Sequence, residues 1–233
     1  MCGRYSIILT AAEIAEIFGL ARPDFVSRPR YNLAPTDSTP IIVAEEEVPK
    51  LVESRFGLIP FWSRETPSSG SGLINARAET VAEKPAFRRA FARSRCLIPA
   101  DGFYEWHGEK KGSKTPYRIV MPDQRLFTFA GIYEAWPGPD GQVSHSFAII
   151  TTSANDTIMR LHHRMPVILD NPEERLLWLT SADPAAVSRL LRPYEGDLKT
   201  FAVSKLVNSV QNDGPECIIP VDQAAQPEGQ RIF

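Results

Sequence analysis

Twenty prolines are spread along this 233-residue chain, and no other feature limits its fold as much. A proline inside a helix removes a hydrogen bond and clashes with the preceding turn, so long regular helices are disfavoured. The apolar residues fall instead in short runs rich in β-branched and aromatic side chains, each ended by Gly, Pro or Asp. Such runs predict strands over 40–45, 50–56, 95–104, 116–121, 126–133 and 146–152, with late strands over 197–204 and 217–220. Helices are expected only as short pieces. Thr10-Ala11-Ala12-Glu13 is a capping box ahead of Ile14, Ile17 and Phe18 at helical spacing, with Gly19 as the stop. A helix over 85–94 should start on Pro85, and others are expected over 154–160, 172–179 and 184–191. Asn171-Pro172-Glu173-Glu174 opens the third of these four with a cap, a proline and two acids against the dipole. Residues 63–73 read as a flexible surface loop and the last ten residues as a frayed polar end. Strands and helices mix without a βαβ rhythm or an internal repeat. The fold class expected is therefore α+β, with an antiparallel or barrel-like sheet rather than a doubly wound one.

The length suits one domain, and 43% hydrophobic against 23% charged residues is ordinary for a globular protein. No apolar run reaches about 18 residues, so no membrane span is expected. The start lacks the basic and long apolar regions of a signal peptide, and a cytoplasmic location is expected. The net charge of −2 gives no whole-molecule attraction to nucleic acid, so any DNA site must be a local basic patch. Cys2, Cys96 and Cys217 are too scattered for a disulfide framework. With the four histidines they show no zinc-type spacing, so neither metal nor cofactor is expected. The phosphate-binding glycine motifs and HExxH are absent.

The chain opens Met1-Cys2-Gly3-Arg4. Methionine before a small residue is the usual context for its removal, which would leave cysteine first. Such a residue carries an α-amine and a thiol on adjacent carbons. The amine titrates near about 7.7–8.0, so a useful fraction is neutral at physiological pH. A neutral amine attacks an aldehyde to give a Schiff base, and the thiol can then close a five-membered thiazolidine. Taken alone, Cys2 is a weak signal and reads more readily as an accident beside the initiator.

Eight blocks in order make the chain resemble a known family. They begin with Met1-Cys2-Gly3-Arg4-Tyr5, Tyr31-Asn32-Leu33-Ala34-Pro35-Thr36, Phe56 through Trp62 and Ile74 through Thr80. Arg95 through Trp106, Phe129 through Tyr133, Thr151 through Asn155 and His162 through Leu169 complete the set. The chain is similar to the SRAP proteins (SOS-response-associated peptidase, or abasic-site processing, proteins) from residue 2 to about Pro220. The resemblance implies a single compact α+β domain over residues 2–222, with a mixed, largely antiparallel, barrel-like sheet, short flanking helices and a tail over 223–233. It also implies a monomer with a basic cleft for single-stranded DNA and a covalent link from the N-terminal cysteine to the aldehyde of an abasic site. The protein would then be nucleoid-associated when bound to DNA. The family's catalytic asparagine, glutamate and histidine match Asn75, Glu105 and His162, and Arg4, Arg77 and Trp106 fall where the family contacts DNA. The residue after the histidine, commonly acidic in the family, is His163 here, so the match of His162 rests on its spacing to Arg164.

The same residues can be read for their chemistry. Glu105, between Tyr104 and Trp106, is either an ordinary strand-end acid or a partly desolvated carboxyl raised toward proton-transfer values. His162 could protonate the sugar ring oxygen, and Asn75 could hold the amine or a sugar hydroxyl; each could equally be a satisfied structural side chain. Residues 77–95 carry six cations, Arg77, Lys84, Arg88, Arg89, Arg93 and Arg95, against two acids. That run reads as a phosphate-tracking patch or as a solvated face. Arg88, Arg89, Arg164 and the exposed-type aromatics Trp62 and Trp106 are assigned to DNA contact, with Phe103 left to the core, where Cys96 and Cys217 are also expected as inert thiols. The competing function is a cysteine-type (auto)peptidase with Cys2 as nucleophile and His162 as base, removing Met1. A third is a non-covalent reader of single-stranded DNA.

Overall fold

The architecture was obtained as a computed structural model that describes residues 2–63, 72–108, 114–137 and 143–221. Strands dominate it, because the β-branched and aromatic runs between the prolines can bury one or both faces only in sheets. In chain order the elements are β1 (Tyr5–Ile7), α1 (Ala11–Phe18), β2 (Arg30–Leu33), β3 (Ser38–Glu45), β4 (Val48–Phe56), β5 (Asn75–Arg77) and α2 (Arg88–Arg93). Then follow β6 (Arg95–Ala100), β7 (Gly102–His107), β8 (Thr115–Val120), β9 (Phe127–Pro137), β10 (Val143–Ser153) and α3 (Asp156–Met159). The last are β11 (Arg164–Pro166), β12 (Ile168–Leu169), α4 (Pro172–Thr180), α5 (Pro184–Arg189) and β13 (Lys199–Ala202).

One sheet closes on itself. β4, β3, β6, β9 and β10 pair antiparallel in that order, and a short parallel pairing of β10 with β4 (Ser146 with Arg55, Phe147 with Phe56) completes a five-stranded barrel. The second sheet, in the order β13-β8-β7-β1-β2, is antiparallel throughout. The fold is therefore a single α+β domain with a barrel-like sheet, as expected. Tyr5 joins the two sheets: its ring packs edge-on against Phe56 at 5.7 Å and Phe129 at 5.8 Å, while Phe56 stacks on Phe147 at 5.2 Å. Cys2 lies three residues ahead of that junction. Prolines inside strands sit where a ladder is open on one side, as the missing N–H requires. Pro40 precedes the β3–β6 pairing, and Pro99 lies past it.

The capping box at Thr10, the αL stop at Gly19 (φ 63°) and the Asn171 cap form as expected. Three expectations need correction. The strand expected over 95–104 is two strands broken at Asp101, where the chain leaves the barrel for the second sheet. Gly102 makes the crossing possible, since a Cβ there would lie 2.9 Å from the buried Arg118 guanidinium. The helix expected from Pro85 starts only at Arg88, because Phe87 leaves helical dihedrals (φ −124°) to bury its ring. The strand expected over 217–220 is a 3₁₀ turn, Pro215–Ile218, closed by the Cys217 N–H to the Gly214 carbonyl at 3.0 Å. Residues 64–71 of the expected loop and the expected frayed end lie outside the described residues. Among the described residues no helix is long and apolar enough to cross a membrane.

Candidate active site

The antiparallel register between β1 and β7 sets the position of Cys2. Tyr5 pairs with Phe103, and the Tyr104 N–H donates to the Arg4 carbonyl at 3.0 Å. Gly3 and Cys2 lie just ahead of the paired residues, and the Cys2 thiol comes within electrostatic reach of Glu105 on β7. Side chains alternate across a strand, so Glu105 shares the face of Phe103, which is core, while Tyr104 and Trp106 pack in a small cluster on the other face. Cys2 is fully buried within the main core. Its carbonyl accepts a hydrogen bond from Asn75 Nδ2 at 3.1 Å. Asn75 opens β5, which lies parallel to β10 with Asn75 opposite Ile149. The Cys2 backbone is thus clamped between the two sheets. Asn75 Oδ1 is buried without a hydrogen-bond partner among the described residues, leaving an acceptor beside the clamp.

Burial pushes the Cys2 thiol well above the cysteine range, and the nearby Glu105 carboxylate raises it further, so the resting thiol is neutral. Glu105 is only 4% exposed, and burial pushes its carboxyl up to about 7. Such a group exchanges protons in both directions near neutral pH. Burial holds the His162 ring below its ordinary value, and the stacked His163 ring, at a centroid distance of 4.4 Å, acts in the same direction. The Arg164 backbone meets His162 Nδ1 twice, with its N–H at 3.0 Å and its carbonyl at 3.2 Å. The Lys114 ammonium acts electrostatically on both Glu105 and His162, which places the three in one neighbourhood. Sequence reasoning missed Lys114; its only signal was the lysine run at 110, 111 and 114.

The residues assigned to DNA contact divide by environment. Arg77, Arg88 and Arg89 are exposed. Arg89 lies over the Phe61 ring at 4.0 Å and 4.0 Å from the Glu134 carboxylate. Trp62 is 60% exposed. Trp106 is half-buried, with its indole Nε1 donating to Asn208 Oδ1 at 2.7 Å. Arg4 stands 5.9 Å from the Trp106 ring centroid and donates to Asn32 Oδ1 (2.7 Å), the Val207 carbonyl (2.9 Å) and the Asn208 carbonyl (3.4 Å). Arg164 bridges Glu79 through both oxygens, at 2.5 and 2.9 Å, and donates to the Thr151 carbonyl at 2.5 Å. Arg95 does not belong with the basic run. It is half-buried and donates to the carbonyls of Trp178 (2.6 Å), Phe91 (3.0 Å) and Ser181 (2.5 Å), tying β6 to α4. Phe103, Cys96 and Cys217 are buried. Among the described residues no group of three or more His, Cys, Asp or Glu side chains comes together to hold a metal.

Residues 1–210 match the family model of the SOS response associated peptidase, SRAP. The chain is 40% identical over 223 residues to the abasic site processing protein YoqW of Bacillus subtilis, covering 94% of this chain and 99% of that one. It is 31% identical to the abasic site processing protein HMCES of Gallus gallus, over 98% of this chain and 80% of that one. An X-ray structure of a protein from Bacteroides thetaiotaomicron superimposes with a TM-score of 0.83 at 29% identity, covering 94% of this chain and all of that one. A second-position cysteine clamped beside a buried glutamate is thus found in a chain that belongs to the SRAP family.

Proposed function

We propose that this chain processes abasic sites in single-stranded DNA by capturing them covalently through Cys2 once Met1 has been removed. The observation that carries the reading is the clamp of Cys2 by Asn75 beside a buried Glu105 whose carboxyl titrates at about 7. Its relatives are named for processing abasic sites, which supports the abasic part of the reading. His162, neutral at rest, takes the proton of the anomeric hydroxyl on a ring nitrogen and passes one to the sugar ring oxygen, so the sugar opens to its aldehyde and the imidazole returns to its starting state. The neutral α-amine of Cys2 adds to the aldehyde carbon. Glu105 takes the amine proton and returns it to the departing hydroxyl, so water leaves and an imine remains. The Cys2 sulfur then bonds to the imine carbon while its proton passes to the nitrogen, closing a thiazolidine with no change of oxidation state. Asn75 holds the Cys2 backbone in position and offers Oδ1 to the new amine. Arg4, Arg77, Arg88, Arg89 and Arg164 face the phosphates, and Trp62 and Trp106 stack on bases or sugars.

The peptidase alternative is less well supported. A cysteine peptidase works through a thiolate and an imidazolium, whereas burial raises the Cys2 thiol and lowers the His162 ring. Intact mass after incubation with an abasic single-stranded oligonucleotide tests the proposal. The expected result is a heat-stable adduct at the summed mass less one water. Cys2→Ser should leave only a labile imine, and a heat-stable adduct formed by Cys2→Ala would overturn the mechanism.

A further inference from the structure

Asn32 is fully buried, and its amide makes four hydrogen bonds. Oδ1 accepts from Arg4 Nη1 at 2.7 Å. The two N–H groups of Nδ2 serve three carbonyls, those of Val207 (3.1 Å), Ser209 (3.0 Å) and Asn212 (2.7 Å), so one of them is shared. Three carbonyls on one side and a guanidinium on the other fix which way the amide faces. The backbone around it is tied to the same segment. The N–H groups of Tyr31 and Asn32 donate to Asp213 Oδ1 at 2.7 and 2.8 Å, and Arg30 Nε and Arg28 Nη2 donate to Asp213 Oδ2 at 2.5 and 3.0 Å. Residues 207–213 therefore wrap around one buried side chain. From that wrapped segment Asn208 reaches Trp106 Nε1, and Arg4, held by Asn32, covers the same ring.

We propose that Asn32 is a positioning residue for DNA binding, fixing the Trp106 ring through Arg4 and the 207–213 segment without touching DNA itself. This rests on the reading above that Trp106 contacts DNA. A stacking platform contributes most when its orientation is set before the base arrives, since no ordering is then needed on binding. Asn32→Asp separates the two arms of the device. The carboxylate still accepts from Arg4, but it turns an oxygen toward three carbonyls and releases the segment. Asn208→Ala removes only the partner of the indole and serves where Asn32→Asp does not fold.

Two readouts test the idea. The first is exchange of the Trp106 indole N–H by NMR without DNA, which should speed up in both variants. The second is affinity for a single strand carrying a tetrahydrofuran abasic analogue, which has no aldehyde and cannot be captured. It should fall by about tenfold in Asn32→Asp, a part of what one stacked base contributes. In a Trp106→Ala background Asn208→Ala should add nothing, a non-additivity that a general loss of stability would not produce. Unchanged affinity despite a released indole, or full additivity in that background, would overturn the positioning role. The chemistry fails separately: wild-type protein that binds the analogue yet forms no adduct with true abasic DNA removes the capture mechanism and leaves Asn32 in place.

Discussion

At the scale of single residues, the buried carboxyl of Glu105 ties stability to chemistry. Its folded value of about 7 stands above the 4.5 of an exposed glutamate. Between these values the folded chain holds a proton that the unfolded chain has lost, so stability falls as pH rises from 4.5 through 7 and levels off above. The fall amounts to about 3 kcal/mol at roughly 1.4 kcal/mol per pKa unit. Glu105→Gln should remove this part of the slope in urea denaturation between pH 5 and 8, leaving what the buried Asp101 and Glu134 carboxyls, also raised, contribute. The variant should be more stable than wild type at pH 8 and should capture abasic DNA about 10²–10⁴-fold more slowly. An unchanged slope would assign the titration elsewhere. Little of this was visible in the residues alone. Glu105 between two aromatics hinted at desolvation, but Cys2 and Asn75 are 73 residues apart, and only the pairing of β5 with β10 and of β1 with β7 brings them together.

At the scale of elements, β3 and β4 were legible because short β-branched runs, buried without interruption from Thr39 to Val43 in β3, flank a clear acidic break. The break is a two-residue hairpin, with Glu45 opposite Val48 and both Glu46 (φ 49°) and Glu47 (φ 65°) in the left-handed region. That geometry is a type I′ turn, for which Asn-Gly is the favoured pair. A side chain with a Cβ is strained there by roughly 1–2 kcal/mol. Glu46→Asn with Glu47→Gly should therefore raise the unfolding free energy by about 1–2 kcal/mol, read from urea midpoints. A loss of stability would mean that the three adjacent acids Glu45, Glu46 and Glu47 contribute more than the backbone strain removes. The short strands β1, β2, β5, β11 and β12 were not legible, being two to four residues each. Periodicity needs more positions than that, and such strands exist only because a longer neighbour offers an open edge. The same reasoning explains the break at Asp101, where the apolar run continues although its partner sheet changes.

At the scale of the molecule, the barrel closes through a parallel contact of two residue pairs 91 positions apart, which no local pattern announces. Charge is also distributed differently in space than in sequence. The net charge is −2, so attraction to a phosphate backbone must come from a local face. The basic run at 77–95 looks uniform as a string, yet the fold splits it. Arg88 and Arg89 are exposed on α2, whereas Arg95 is enclosed by four carbonyls. Each cation that neutralises a phosphate of a single strand steepens the dependence of log K on log salt by about 0.7. Replacing Arg88 and Arg89 together by alanine should thus flatten the slope by about 1.4, with affinity lost most at low salt. Arg95→Ala should leave the slope unchanged. It should instead destabilise the chain by about 1–3 kcal/mol, since carbonyls of Phe91, Trp178 and Ser181 lose a charged donor at the join of β6 and α4. Titrations of the tetrahydrofuran strand at several salt concentrations, paired with urea unfolding, measure both effects. A slope lowered as much by Arg95→Ala as by the α2 pair would mean that DNA reads the run as a continuous patch, and that the carbonyl cage opens when DNA binds.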